Sequence, residues 1–337
     1  MVSVLITTYN STEHLEACLE SLRVQSYRPL DVIIVDNASE DGTRAILEKL
    51  HSEYHIICNE TNVGFAAAQN QALRAARGRW VLSLNPDVLL APDFIERLVA
   101  AAEMHPEAGA ACGKLLRWDP AAANPQTKVI DSTGIYFTRS LRHLDRGADE
   151  PDGGQFDRQE YVFGATGAAA LYSRYMVEDV SVDGELFDEQ FFAYREDADL
   201  AWRAQMMGWR CLYTPDALAW HVRRVTPERR ARLPLIINWH SVKNRFLMRA
   251  KNISGRLYLH CFLPTTIRDI QVIGYCLFAD WRLLSALKRV WDLRHDLAGK
   301  RRRIQARRRV PDRELSYWFS DRPASISIGG SKDAVAA

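Results

Sequence analysis

From its first residues the chain alternates short apolar runs with helical spacing. Val2 to Thr7 reads as a strand, and Leu15, Cys18, Leu19 and Leu22 fall at i, i+3, i+4 and i+7, which predicts a helix with one apolar face. The pattern continues with a strand at Asp31 to Asn37, a helix at Asp41 to Leu50, a strand at His55 to Cys58, a helix at Phe65 to Ala76 and a strand at Trp80 to Leu84. These strands are mostly continuously apolar, which predicts a parallel sheet covered on both faces. In such sheets ligands bind beyond the carboxyl ends of the strands. The polar residues Thr7-Thr8-Tyr9-Asn10, Asp36-Asn37 and Asn85-Pro86-Asp87 fall there.

Further along, the segment from Gly109 to Tyr175 is mixed and glycine-rich, with Asn124-Pro125 and Asp152-Gly153-Gly154 marking loops, and predicts irregular strands. A helix is expected from Glu196 to Met207, stopped at Gly208. From Leu233 the pattern is helical, and after Trp318 it reads as a flexible tail.

Composition narrows the class. The 337 residues are 47% apolar, enough for a substantial core, and the six cysteines show no CxxC pair or zinc spacing, which suits buried thiols in a reducing compartment. The N-terminus lacks a signal-peptide pattern, and the apolar run near Ile270 to Trp281 is well short of the ~20 residues that span a bilayer, so a cytoplasmic, non-integral protein is expected. Net charge is +2, yet KRRRIQARRR at Lys300 to Arg309 is a dense basic block.

Each candidate group has a bland and a chemical reading. Asp87, set at a strand end by Pro86, suits a Mg²⁺ or Mn²⁺ ligand, or else belongs to an ordinary turn. Asp36 can accept from a pyrimidine or ribose, or cap a turn. Gly64 opens a helix whose N–H groups can favour a diphosphate, or simply forms a turn. Glu196 and Asp197 begin a helix, where acids offset the dipole, and Asp199 to Arg203 is an i, i+4 pair. The nearby Phe191, Phe192, Tyr194 and Trp202 can line a sugar pocket that raises a carboxylate toward base strength, or can be core. His221 is a lone histidine with a structural or a metal role.

Taken together, ITTYN, IIVDNASEDGT, NVGFAAAQN, LNPDV, FDEQFFAYREDADLAWR and PDALAWH resemble glycosyltransferase family 2, most closely its bacterial rhamnosyltransferase-like members, over roughly residues 2 to 250. The resemblance implies an α/β GT-A fold at 1–250, a helical basic extension at 251–312 and a tail at 313–337. It also implies a nucleoside-diphosphate-sugar donor, a divalent metal and an inverting transfer. Donor contacts are then expected at Thr8, Tyr9, Asp36, Asn37, Gly64, Asn70 and Asn85, metal ligands at Asp87 and His221, and the catalytic base at Asp197. Glu196, Trp202 and Arg203 are expected on the acceptor side.

Two features depart from the common family pattern. Asn85 replaces the first acid of the metal motif, and AQN at Ala68 to Asn70 replaces ARN. Both favour dTDP-rhamnose over a UDP-hexose or UDP-N-acetylhexosamine, while the missing acid keeps a catalytically inactive sugar-nucleotide-binding or scaffold protein as the contrasting class. An NAD-dependent Rossmann enzyme is disfavoured because TTYNSTEH has no glycine. The acceptor implied is a glycan or a polyprenyl-diphosphate-linked sugar of cell-wall or surface-polysaccharide assembly. The aromatic helices at Leu257 to Arg309, with their basic end, suit an anionic inner-membrane surface or a homodimer contact, and no nucleic-acid-reading module accompanies the basic block. HSVKNR, at His240 to Arg245, reads as a contact to acceptor or phosphate, or as a solvated basic helix face.

Overall fold

A computed structural model describes residues 1–120, 126–223 and 234–328. The expected loop at Asn124-Pro125 lies outside these residues, as do positions 329–337 of the expected tail.

The N-terminal half follows the apolar pattern closely. Strands β1 (Val2–Thr8), β2 (Leu30–Asp36), β3 (His55–Cys58) and β4 (Trp80–Leu84) alternate with helices α1 (Leu15–Arg23), α2 (Thr43–Glu48) and α3 (Phe65–Ala75). All four strands pair in parallel, in the order β4-β1-β2-β3, and Leu5, Ile33, Val35, Val81, Ala68 and Ala72 pack together between sheet and helix.

Beyond β4 come β5 (Val88–Leu90), α4 (Phe94–Glu103), β6 (Ala108–Trp118), β7 (Gln126–Ser132), β8 (Ile135–Phe137), β9 (His143–Asp145), β10 (Glu160–Val162), β11 (Ala169–Ser173), α5 (Arg174–Val180), α6 (Glu196–Met206) and β12 (Arg210–His221). The middle section is more regular than its composition suggests. β11 inserts antiparallel between β4 and β6, and β12 runs parallel to β6, so one mixed sheet of eleven strands crosses the described residues. The reason lies in AGAACGKLL: nine successive buried positions of mostly small residues give a fully covered strand without any period to read.

The C-terminal helices are α7 (Leu235–Asn252), α8 (Gly255–Phe278), α9 (Leu284–Asp292), α10 (Arg294–Ala306) and α11 (Asp312–Leu315), followed by β13 (Ile326–Ser327). One expectation fails here. Residues 313–328 are not a free tail: Leu315, Trp318 and Phe319 are buried, and β13 pairs with β10. The basic block is largely paired: Lys300 is buried on Asp188 and Glu185, while the more exposed Arg303 meets Asp183, Arg309 meets Asp179 and Arg308 meets Asp312 four residues on. Apart from Asp312 these acids are remote in sequence. All six cysteines are free thiols, and all but Cys58 are buried.

Candidate active site

The sheet brings strand ends together that are far apart in sequence. β4 stops at Leu84, and after Asn85-Pro86-Asp87 β5 pairs with β12 so that Val88 stands opposite His221, while the Val222 N–H donates to the Asp87 carbonyl (3.1 Å). This register sets His221 Nε2 3.5 Å from Asp87 Oδ1, across 134 positions of chain. On its other side His221 Nδ1 meets Asp131 Oδ2 at 2.8 Å, and Arg223 bridges Asp131 (3.0 Å) to Asp145 (2.6 Å). Burial alone would lower the His221 pKa, but the Asp131 charge and hydrogen bond, with Asp87 opposite, hold it up at about 10. The Asp131 carboxyl is correspondingly held below its usual range, its own burial being outweighed by His221 and Arg223.

A cleft of about 570 Å³ opens in front of these strand ends. Its lining includes Thr7, Tyr9, Ser11, His14, Asn37, Asn62, Gly64, Phe65, Asn85, Pro86 and Asp87 from the first half, and Phe192, Tyr194, Ile236, Ile237 and His240 opposite. Tyr9, Asn37, Gly64, Asn85 and Asp87 therefore line the cleft. Thr8 and Asp36 lie beneath it: Asp36 is fully buried and accepts from Thr8 Oγ1 (3.0 Å), Ser39 N (3.1 Å) and Arg44 Nε (3.0 Å). They shape the floor that Asn37 presents. Gly64 has φ +89°, and a Cβ there would come within 2.6 Å of the Phe192 ring, so glycine is required where the two halves meet. Two N–H groups at this helix start are already used, Gly64 by Asn62 Oδ1 and Ala66 by the Phe192 carbonyl.

Asp197 is half-buried on the first turn of α6 and is not among the residues that line the cleft. Its Oδ2 accepts from Gly167 N (2.9 Å) and its Oδ1 from Ala198 N (2.7 Å). The next carbonyl, Ala168 O, accepts from Asn85 N (2.8 Å), so one short peptide stretch ties the carboxylate to the Asn85-Pro86-Asp87 segment. Burial raises the Asp197 pKa against the pull of those two N–H groups. The Glu196 carboxyl is pushed up to about 8 by burial and then by the Asp197 charge, and its Oε2 has no hydrogen-bond partner among the described residues.

Three expectations are overturned. Asn70 is buried and locks α3 to the stretch before α6, donating to the Phe187 carbonyl (2.7 Å) and accepting from Phe187 N (3.1 Å), so it faces no donor. Trp202 is fully buried against Phe137 and Phe319, at ring-centroid distances of 5.3 and 4.8 Å. Arg203 is buried on Asp199 (3.1 Å) and on the carbonyls of Val180 and Leu186. The last two follow from α6 being buried on nearly every side, which the polar letters of EDADLAWRAQM conceal.

HSVKNR is largely buried and bonds the loop before α6. Asn244, fully buried, points Nδ2 at the carbonyls of Phe191 (3.0 Å), Ala193 (2.8 Å) and Tyr194 (2.7 Å), and Lys243 Nζ donates to Gln190 O (2.6 Å). They hold a loop in which Phe192, Tyr194 and Arg195 have φ of +66°, +71° and +73°, a conformation that costs of order 1–3 kcal/mol per residue. His240, buried and lowered to about 4 by its burial and the Lys243 charge, stacks on Phe192 at 4.8 Å and lines the cleft as a neutral imidazole. Asp131, Asp145 and Arg223 carry no local motif, and only the register of β5 on β12 reveals them.

The profile described as "Glycosyl transferase family 2" matches residues 3–181, more than half the chain. The chain belongs to that family. This glycosyltransferase is 29% identical over 243 residues to the N-acetylglucosaminyl-diphospho-decaprenol L-rhamnosyltransferase of Mycobacterium tuberculosis, covering 66% of this chain and 76% of the relative. Among solved structures it is similar to S. aureus TarS 1-349, with a TM-score of 0.54, 17% identity and coverage of 94% and 85% of the two chains. It is also similar to the mannosyltransferase PcManGT from Pyrobaculum calidifontis in complex with GDP-Man and Mn²⁺, with a TM-score of 0.51, 20% identity and coverage of 93% and 77%. These two likenesses support the GT-A fold of the transferase.

The residues present fit a divalent ion when binding displaces the proton that Asp87 and Asp131 hold on the His221 ring. The transferase offers a carboxylate and an imidazole on one spot, with Asp131 holding the far nitrogen of the ring, an arrangement that orients a histidine ligand. No group of three or more acidic, His or Cys ligands occurs among the described residues, so the remaining positions would fall to diphosphate oxygens and water.

Proposed function

We propose that the protein is an inverting, metal-dependent transferase that moves rhamnose from dTDP-rhamnose to a polyprenyl-diphosphate-linked saccharide in cell-wall or surface-polysaccharide synthesis. The observation that carries the donor and acceptor is the similarity to the mycobacterial rhamnosyltransferase, whose name states a diphospho-decaprenol acceptor. The nucleoside would rest along Tyr9, Asn37 and Asn85 above the Thr8–Asp36 floor, with its diphosphate toward Asp87 and His221. Mg²⁺ or Mn²⁺ held there supplies positive charge against that of the departing diphosphate.

The chain's own part in the chemistry falls to Asp197. As the acceptor hydroxyl oxygen bonds to the anomeric carbon, the carbon–oxygen bond to the diphosphate breaks from the opposite face and the hydroxyl proton passes to the Asp197 carboxylate. A single displacement inverts the anomeric configuration. The raised basicity of Asp197 suits this task, since a stronger base takes the proton more readily.

Two measurements test the reading. Incubation with a panel of nucleotide sugars and metal, scored by donor hydrolysis and thermal stabilisation, should favour dTDP-rhamnose, and preference for a UDP-sugar would transfer the chain to the hexose or hexosamine alternative. Asp131→Asn should weaken the metal dependence of nucleotide-induced stabilisation by about 10- to 100-fold, because the ring of His221 loses the group that orients it. A metal titration midpoint equal to that of the wild type would remove His221 from the metal site.

A further inference from the structure

α8 is the anomaly of the fold. It is 24 residues long, about 36 Å, yet only Leu257, Cys261, Thr265 and Cys276 are buried. Its outer surface is apolar: Leu259 is 73% exposed, Ile270 67% and Phe278 92%, and Trp281 just beyond is 74% exposed. From Ile270 to Ala279 the helix carries no charge at all. An uncharged, largely apolar helix end of this kind normally lies inside a protein or against lipid, while Arg268 and Asp269 mark where the charged part of α8 stops.

No single helix among the described residues is long and apolar enough to cross a membrane, but α8 and the stretch Trp281–Asp292 together form an apolar pair bent by 119°. Such a bend gives a wedge with its tip at Leu277, Phe278 and Trp281 rather than a span. The charges around it have one dominant sign, with six basic residues against three acids between 255 and 294. Arg256, Arg282, Lys288, Arg289 and Arg294 are exposed, and the Arg294 guanidinium lies over the exposed Trp291 ring at 4.9 Å.

The wedge adjoins the cleft. Trp239 Nε1 donates to Ser285 Oγ on α9 (2.8 Å), and Trp239 stands between Ile237 and His240, which line the cleft wall. The exposed Leu235 and Ile236 continue the apolar surface to the cleft mouth.

We propose that the α8–α9 wedge docks into the interfacial layer of an anionic membrane, apolar tip inward and arginines at the headgroups, and that this places the cleft mouth at the bilayer surface. The basic rim selects an anionic lipid surface over a neutral one, at about 1 kcal/mol per Lys or Arg near it. The proposal rests on the reading of a lipid-linked acceptor for its purpose, since a sugar on a membrane-anchored diphosphate can then enter the cleft past Ile236 and Ile237. The docking itself requires neither donor nor acceptor.

The test is co-sedimentation of the full chain with vesicles of phosphatidylcholine alone and of phosphatidylcholine mixed with phosphatidylglycerol. Binding to the mixed vesicles, weaker on the neutral ones and reduced by salt, is expected. The double variant F278D/W281D should bind at least about tenfold more weakly, as loss of one buried aromatic implies. Its thermal stabilisation by nucleotide and its transfer to a detergent-free soluble acceptor should stay at wild-type level. Wild type remaining in the supernatant with both vesicles at low salt overturns the proposal. So does light scattering that shows a dimer which F278D/W281D converts to monomer without any vesicle binding, because the face is then the contact between two copies. Vesicle binding without rhamnosyl transfer would leave the docking intact and reject only the donor and acceptor assignment.

Discussion

Asp197→Asn is expected to lower kcat by about 10²- to 10⁴-fold, the usual contribution of a positioned general base, while donor binding measured by calorimetry stays nearly unchanged. The amide keeps the size of the carboxylate but has one acceptor oxygen, so it can accept from Gly167 N or from Ala198 N and not from both, and the melting temperature of the variant checks that the start of α6 holds its place. What it loses is the ability to take the acceptor proton. The pH dependence gives a second readout. Burial raises the Asp197 pKa, and the base works only when deprotonated, so kcat/KM should climb with pH along a limb that lies above the ordinary carboxylate value of about 3.9 and then level off. In the asparagine variant that limb should vanish from the residual activity. Near-normal turnover in the variant would take Asp197 out of the reaction.

The second large effect is expected at a residue that touches no ligand. Asn244→Ala should cost about 2–3 kcal/mol of stability and at least about tenfold in kcat. Its side-chain amide faces three carbonyls, and an alanine takes that donor from Ala193 O and Tyr194 O while Phe191 O keeps Ala193 N, in a loop already held at positive φ in Phe192, Tyr194 and Arg195. The natural response is for the loop to relax. Because it leads directly into Glu196 and Asp197, the base would move relative to the cleft, while Tyr9, Asn37 and Asn85 on the other half keep their positions. The expected signature is therefore a fall in kcat with donor KM little changed, together with a lowered melting temperature. A variant that loses stability alone, with kcat intact, would show that the clamp serves the fold and not the geometry of the base.

The sequence made half of this molecule legible because its strands and helices differ there in a periodicity that does not depend on distant partners. Val2 to Thr7, Asp31 to Asn37 and Trp80 to Leu84 are apolar runs whose polar ends mark the carboxyl edge of a parallel sheet, and Tyr9, Asn37, Gly64, Asn85 and Asp87 were found by that rule alone or with the family resemblance. The same local reading misplaced Asn70, Trp202 and Arg203. Their polar or aromatic character is equally suited to a pocket or to a satisfied core, and burial, a property of the assembled chain, decides between the two.

What the sequence by itself determined is the family, the α/β alternation and the residue types at the strand ends, since each is written in contiguous stretches of ten to twenty letters. What only the tertiary structure decided is which charges meet. The pairing of β5 with β12 joins Asp87 to His221 and brings in Asp131, Arg223 and Asp145, and α7 turns the basic letters of HSVKNR inward onto the loop before Asp197. The same folding spends the basic block on buried and surface acids and leaves the apolar face of α8 uncovered. Contacts between groups more than a hundred positions apart depend on strand register and helix rotation, and neither is encoded in any local window of the chain.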